Sequence, residues 1–301
     1  MPDTPRRVIA LGFFDGVHKG HGALLQAVTA AADRLGAAPC AFTFDRHPDS
    51  VITGQAVPLL STVEDRIWLM RRYYHIQEVV VASFSAMQRM DWEDFISQYL
   101  ARDLGAVHIV AGHDFHFGYM GKGNPDRLRD RCAQLGLGCD IIGKVEQDGI
   151  TISSTYIRTL IAQGEIERAN QFLGHPHTLT GTVRHGRGIG SSRLFPTANL
   201  TVPPHVLVPS HGVYVTRAYL PDGASYAAVT NVGTRPTVNN GTDVTVEASL
   251  LDFEGDLYGQ TLRLEFFQRL RDEMRFDTLD ALRSQIAADA EATRQYFETA
   301  K

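Results

Sequence analysis

The sequence predicts an α/β domain built on a mostly parallel sheet, followed by a smaller all-β domain that a C-terminal helix closes. Three observations carry this. Apolar runs alternate with amphipathic helical stretches from residue 8 to residue 149. After Gly174 the texture changes to Gly, Pro, Ser and Thr, and then to short alternating segments. The last stretch, DTLDALRSQIAADAEATRQYF (277–297), puts Leu279, Leu282, Ile286 and Tyr296 on one helical face, with Asp277 or Thr278 as its cap.

Each element follows in order. VIALGFF (8–14) is an unbroken apolar run, as expected of a strand covered on both faces. HGALLQAVTAAADRLG (21–36) carries Leu24, Leu25, Val28, Ala31, Ala32 and Leu35 at helical spacing and ends at Gly36. APCAFTFD, EVVVASF, AVHIVAG and CDIIGKVEQDG (139–149) read as the next four strands. VEDRIWLMRRYYHI, MDWEDFISQYLARDL and NPDRLRDRCAQLG are the helices between them. SSTYIRTLIAQGEIERANQFLG gives two short helices separated by Gly164. GVYVTRAYL, SYAAVTNVG, VTVEASLLDF and LRLEFFQRL are strands of an antiparallel barrel or sandwich. The domains are expected at 1–175 and 176–301.

The bulk numbers narrow the function. A chain of 301 residues suits two domains, and 44 % hydrophobic content lets both bury cores. The formal net charge of −5 argues against a broad nucleic-acid or membrane-surface binder, but not against small phosphorylated ligands. The N-terminal apolar run is too short to span a membrane. The three cysteines, Cys40, Cys132 and Cys139, are odd in number and lack metal-ligand spacing, so reduced thiols in a cytoplasm are expected.

Chemistry first concentrates in GFFDGVHKGH (12–21), where a strand runs into a glycine turn and a helix starts between Lys19 and His21. Unpaired N–H groups at a helix start favour anions. Gly20 lets a phosphate approach the backbone, and His18 and His21 beside it can donate to phosphate oxygens. In ITISSTYIR (150–158), Ser153, Ser154 and Thr155 can cap a helix. AGHDFHFGYMGKGN (111–124) opens a strand into a loop where either Phe115 or Phe117 can face a planar ligand or pack as an ordinary core aromatic.

A second concentration is GTVRHGRGIGSSRLFPTANL (181–200). Gly186, Gly188 and Gly190 belong to a loop whose backbone can wrap phosphates. Thr197 and Asn199 share a face of an extended segment, so a hydroxyl and an amide oxygen can meet one Mg²⁺ ion or phosphate. In VTVEASLLDF (244–253), Glu247 stands on the polar face of a strand. It is either a solvated surface carboxylate or a general base for a hydroxyl attacking a γ-phosphate.

The pattern G-x-F-D-G-x-H-x-G-H resembles the HxGH nucleotidyltransferase superfamily. The series GTVRHGRGIG, FPTANL, NVGTRPT (231–237), VEASLLDFEGDLYG (246–259) and RLRDEMRF (269–276) resembles the riboflavin kinase module. The two in this order, with LSTVEDR (60–66) and IERANQFLG (166–174), resemble the bacterial bifunctional riboflavin kinase/FMN adenylyltransferase family over residues 7–298.

The resemblance implies a Rossmann-like parallel sheet followed by a small antiparallel β-barrel. It implies phosphorylation of riboflavin to FMN in the second domain and adenylylation of FMN to FAD, with release of pyrophosphate, in the first. ATP and Mg²⁺ are the implied cofactors, and the flavins are substrates and products. By the same resemblance Gly12, Asp15, His18, Gly20 and His21, with Ser154, Thr155 and Arg158, bind ATP for adenylyl transfer. Asp114, Phe115 and Phe117 lie near the flavin. Thr197 and Asn199 hold Mg²⁺ and phosphates behind the Gly186–Gly190 loop, Glu247 is the catalytic base, and Arg271 stands beside the flavin or its phosphate. The chain departs from the family's usual residues at Phe13, Arg46, Tyr156, Ser191 and Leu194. The alternatives are one active module only, or a flavin-binding regulatory protein on the same scaffold. No nucleic-acid or membrane partner is expected, and any self-association is expected to be weak.

Overall fold

β1 (Arg7–Leu11) is the middle strand of a five-stranded parallel sheet, as its unbroken apolar sequence requires. In the computed structural model, which describes residues 5–184, 197–236 and 242–299, the chain divides into two units. The first is Met1–Val57 with Arg66–Ser154; the second is Pro58–Asp65 with Thr155–Lys301.

In the first unit β1 leads through α1 (Lys19–Leu35) to β2 (Ala38–Phe44) and a short α2 (Pro48–Thr53). His47 Nδ1 caps α2 by accepting the Asp49 N–H at 3.2 Å. Then come α3 (Val63–Tyr74), β3 (Glu78–Ala82), α4 (Phe84–Met87) and α5 (Trp92–Asp94). A π-helical run, Phe95–Asp103, continues α5. β4 (Ala106–Gly112), α6 (Pro125–Gln134) and β5 (Gly138–Ile142) complete the sheet, in the order β3-β2-β1-β4-β5. The order reverses between β1 and β4, so the crevice at their carboxyl ends is the natural ligand site of such a sheet. One side of the sheet buries Leu24, Leu25 and Val28 of α1, and the other buries Phe95, Ile96 and Leu100 of the π-helical run.

Two expected strands are shorter than their apolar sequence suggested. β1 stops at Leu11, and Phe14 takes a left-handed φ of 58°, which no strand tolerates. The segment 139–149 is not one strand. After β5 it forms a hairpin of β6 (Glu146–Gln147) and β7 (Ile150–Thr151) around Asp148 and Gly149, whose φ values of 54° and 73° suit a tight primed turn.

The second unit contains α8 (Ile166–Leu173) and most of α7 (Ser154–Gln163). Among its described residues is a closed antiparallel barrel of β8 (His177–Arg184), β9 (Ala198–Thr201), β10 (Gly212–Tyr219), β11 (Ser225–Pro236), β12 (Thr242–Leu250) and β13 (Thr261–Arg271), so the barrel alternative holds. Inward residues include Tyr214, Thr216, Thr230, Val246 and Phe266. The buried hydroxyls of Thr216 and Thr230 satisfy each other at 2.7 Å.

Residues 155–175, expected with the first domain, count with the barrel. The Asn170 amide donates to the Phe266 carbonyl at 2.8 Å and accepts the His177 N–H at 2.7 Å, which fastens α8 to β13 and β8. Pro58–Asp65 joins the same unit, since Leu59 bridges Val206 in parallel and accepts the Leu207 N–H at 2.8 Å. The closing helix α9 (Leu279–Thr299) begins at a Thr278 cap, whose Oγ1 accepts the Ala281 N–H at 3.1 Å. Leu279, expected on its apolar face, is 60 % exposed, and the helix's buried residues come later, at Asp289, Ala290 and Thr293.

Candidate active sites

The first cavity, of about 910 Å³, opens at the carboxyl ends of β1 and β4. Gly12, Phe13, His18, Gly20 and His21 form part of its wall; Asp114, Phe115 and Phe117 form another part, and Ser154 closes a side. His18 is the N-cap of α1: its Nδ1 accepts the His21 N–H at 3.2 Å, which leaves the proton of the neutral ring on Nε2. The two imidazoles stack at 3.6 Å with their planes 12° apart.

Burial, then the neighbouring His18 and Arg66, hold the His21 pKa well below the ordinary histidine value, so this ring is neutral near pH 7. Its Nδ1 is buried without a hydrogen-bond partner among the described residues. Such a group is costly unless a ligand oxygen completes it, and a phosphate at the helix start fits that need. A Cβ on Gly20 would come within 3.1 Å of the His18 ring, so the approach to the helix start stays open only with glycine.

The remaining expected residues divide. Asp15 lies outside the wall; it is 2 % exposed, and its carbonyl accepts the Ser154 hydroxyl at 3.0 Å, which ties the turn to the start of α7. Phe117 is a core residue, packed on Phe95 at 5.4 Å. Phe115 stacks on Phe117 at 5.7 Å, is less buried and is the better placed of the two for a planar ligand. Thr155 and Arg158 fall in the part of α7 that belongs to the second unit. Tyr156 sets its ring edge-on to Phe172 at 5.0 Å, so this departure serves packing within that unit.

The second cavity, of about 290 Å³, lies between the outer face of β10–β12 and α9. Thr197, Asn231, Glu247, Arg271 and Asp289 are in its wall. Glu247 is no solvated edge residue. β12 runs between β9 and β11, and Glu247 stands opposite Asn199 on one side and Asn231 on the other. Directly opposed residues share a sheet face, so Asn199 and Glu247 face the same way, and Thr197, two residues before Asn199, faces with them.

Hydroxyl, amide and carboxylate oxygens suit Mg²⁺, which usually takes one or two protein oxygens and substrate phosphates. Among the described residues no three His, Cys, Asp or Glu side chains converge as a metal cage of their own. Gly186, Gly188 and Gly190, with Ser191 and Leu194, lie outside the described residues.

Arg271 ends β13 and is held by Asp289 of α9: Nη2 reaches Oδ2 at 2.7 Å and Nε reaches Oδ1 at 3.1 Å. Gln285 donates to the same carboxylate at 2.9 Å. Sequence reasoning missed Asp289, although an acid within the Leu282–Ile286–Ala290 stripe was a visible signal. It also missed Asp65 and Arg66 as individuals. Asp65 accepts hydrogen bonds from Thr62 at 2.9 Å, Thr180 at 2.6 Å and Arg263 at 3.1 Å.

Comparison with known proteins agrees with this division. The FAD synthetase family matches residues 1–156, and the riboflavin kinase family matches residues 173–297. A bifunctional riboflavin kinase/FMN adenylyltransferase of Listeria monocytogenes is 33 % identical over 97 % of this chain and 92 % of its own length. That of Bacillus subtilis is 33 % identical over 98 % and 94 %. A crystal structure described as a macrolide-efflux protein from Streptococcus pneumoniae shares the fold, with a TM-score of 0.82 and 30 % identity over 97 % of this chain and 95 % of that one. Among the described residues no helix is long and apolar enough to cross a membrane. With two domain families in sequence and relatives aligned along nearly their whole length, the chain belongs to the bifunctional riboflavin kinase/FMN adenylyltransferase family.

Proposed function

We propose that this chain makes FAD in two ATP-dependent steps, one in each cavity. In the second cavity the ribityl 5′-hydroxyl of riboflavin attacks the γ-phosphorus of ATP, giving FMN and ADP. Glu247 takes the hydroxyl proton, with Asn199 and Asn231 fixing its strand neighbourhood. Thr197 and Asn199 supply oxygens for Mg²⁺, which offsets charge on the phosphates when bound. Arg271, oriented by Asp289, offers a fixed cation to the flavin or its phosphate.

In the first cavity a phosphate oxygen of FMN attacks the α-phosphorus of ATP, and pyrophosphate leaves. The chemistry needs positioning and charge stabilisation rather than a protein nucleophile. His18 offers its Nε2 proton, and His21 Nδ1 lacks a protein partner and awaits a ligand oxygen. Gly12 and Gly20 keep the backbone open. Ser154 borders the same site, with Asp15 holding the turn from behind. Phe115 and Asp114 border the flavin ring, with Phe117 stacked behind Phe115. Adenylyl transfer is assigned to the stretch 1–175 and the kinase step to 176–301, even though residues 155–175 pack with the barrel.

The observation that supports the reading is that Gly12, His18, Gly20, His21 and Ser154 share the wall of one cavity, and Thr197, Glu247 and Arg271 share the wall of another. Free thiols at Cys40, Cys132 and Cys139 and the demand for ATP favour the cytoplasm. The test is chromatography of purified protein with riboflavin, ATP and Mg²⁺. FMN is expected first and FAD second; FAD alone is expected from added FMN. Absence of both flavin nucleotides overturns the proposal.

A further inference from the structure

Arg66 is a guanidinium with 0 % of its surface exposed, in the unit that carries the histidine pair. A buried cation persists only where its donors are matched. Its Nη1 donates to the Phe13 carbonyl at 2.6 Å and to Thr43 Oγ1 at 2.8 Å, and its Nη2 donates to the Phe44 carbonyl at 3.1 Å. Its Cζ also lies 4.2 Å from the centre of the Phe13 ring. One side chain thus grips both the ring and the carbonyl of the residue that opens the phosphate turn. Buried Thr43 donates its hydroxyl to the same carbonyl at 2.8 Å.

That turn needs holding. Phe14, Gly16 and Val17 have φ of 58°, 73° and 43°, and two of the three are not glycine. Val17 is β-branched, for which such a value is a true outlier. Strain of this kind survives only where the surroundings over-determine the backbone. The next residue, His18, must arrive in extended conformation to cap α1 and stack on His21.

We infer that Arg66 is a positioning residue for adenylyl transfer: it locks the Phe13–Val17 turn and so sets the two imidazoles against the phosphates of ATP. Its charge also reaches the pair directly, since it helps to keep His21 neutral. This inference rests on the adenylyl-transfer reading above.

The test compares Arg66→Gln, Arg66→Lys and Thr43→Val with the parent chain. For each, kcat and KM for ATP are measured for FAD formation from FMN, and FMN formation from riboflavin is measured on the same preparation. Arg66→Gln should lower kcat for FAD about 100-fold, more than it raises KM, because small misplacements at a reacting centre cost that much. FMN formation should stay within about twofold, since Arg66 is not among the residues that form the wall of the second cavity. Arg66→Lys keeps the charge but not the planar fork and should recover part of the loss. Thr43→Val should cost about threefold, in keeping with one neutral hydrogen bond.

FAD formation by Arg66→Gln within twofold of the parent overturns the inference. So does a loss of both activities in the same proportion with Arg66→Lys no better. If Arg66→Gln fails to fold, unchanged FAD formation by Thr43→Val overturns it. A parent chain that makes FMN but no FAD sinks the adenylyl-transfer reading instead.

Discussion

Glu247→Gln isolates the proton-accepting step of the kinase reaction. Glu247 sits in mid-strand on β12, with Asn199 and Asn231 as its cross-strand partners, and its side chain reaches the wall of the second cavity beside Thr197 and Arg271. Glutamine keeps the shape and stays polar beside two asparagines, so the barrel should retain its stability. What is lost is the basic oxygen. A positioned general base contributes about 10²–10⁴-fold, which is about 3–5 kcal/mol of barrier at about 1.4 kcal/mol per tenfold. The assay is the initial rate of FMN formation from riboflavin at saturating ATP and Mg²⁺, with FAD formation from supplied FMN and the melting temperature measured in parallel. FMN formation should fall at least about 100-fold, while the other two readings hold. A variant that forms FMN within tenfold of the parent rate would refute the role given to this carboxylate, and a parallel loss of FAD formation would refute the separation of the sites.

Other consequences are open to measurement. His21→Ala should cut FAD formation about 10²–10³-fold, as loss of a donor to a developing charge does elsewhere, and leave FMN formation intact on the same chromatogram. Asp65→Ala strips Arg263 of a buried partner and Thr180 of an acceptor, so denaturant unfolding of the barrel should show a loss of about 3 kcal/mol; a change below 1 kcal/mol would count against that pairing. His177 is drawn from 6.5 to about 3, first by burial and then by His175. Below pH 6.5 the unfolded chain binds a proton that the folded chain refuses, so stability present above that pH is lost on acidification, at about 1.4 kcal/mol per unit for this group. Unfolding free energies at pH 7 and pH 5 should differ less in His177→Asn than in the parent.

What the sequence made legible was local. β1 and α1 announce themselves through an apolar run and a helical spacing, and their junction is where the histidines lie. Glu247 was readable as a polar residue facing away from Val246 and Ala248, but its asparagine neighbours were not, because β9 and β11 meet β12 only in the closed barrel. Arg66 and Asp65 looked like ordinary residues of a surface helix, since their partners lie 53 residues away at Phe13 and 198 away at Arg263. The π-helical run escaped for a related reason. Its apolar spacing reads as α-helix, and the tell-tale Leu104 N–H to Tyr99 carbonyl bond leaves no mark in composition.

The second unit is not one stretch of sequence, and this limits how the gene can be divided. Severing the chain between residues 154 and 155 would strip the barrel of Leu59, which accepts the Leu207 N–H, and of the Asp65 carboxylate. A free-standing kinase excised at that point would start life with an arginine facing a gap and an unmatched stretch of backbone. Trading modules between relatives therefore calls for transplanting the 58–65 strap as well, or for rewriting Arg263 and Thr180 to live without it.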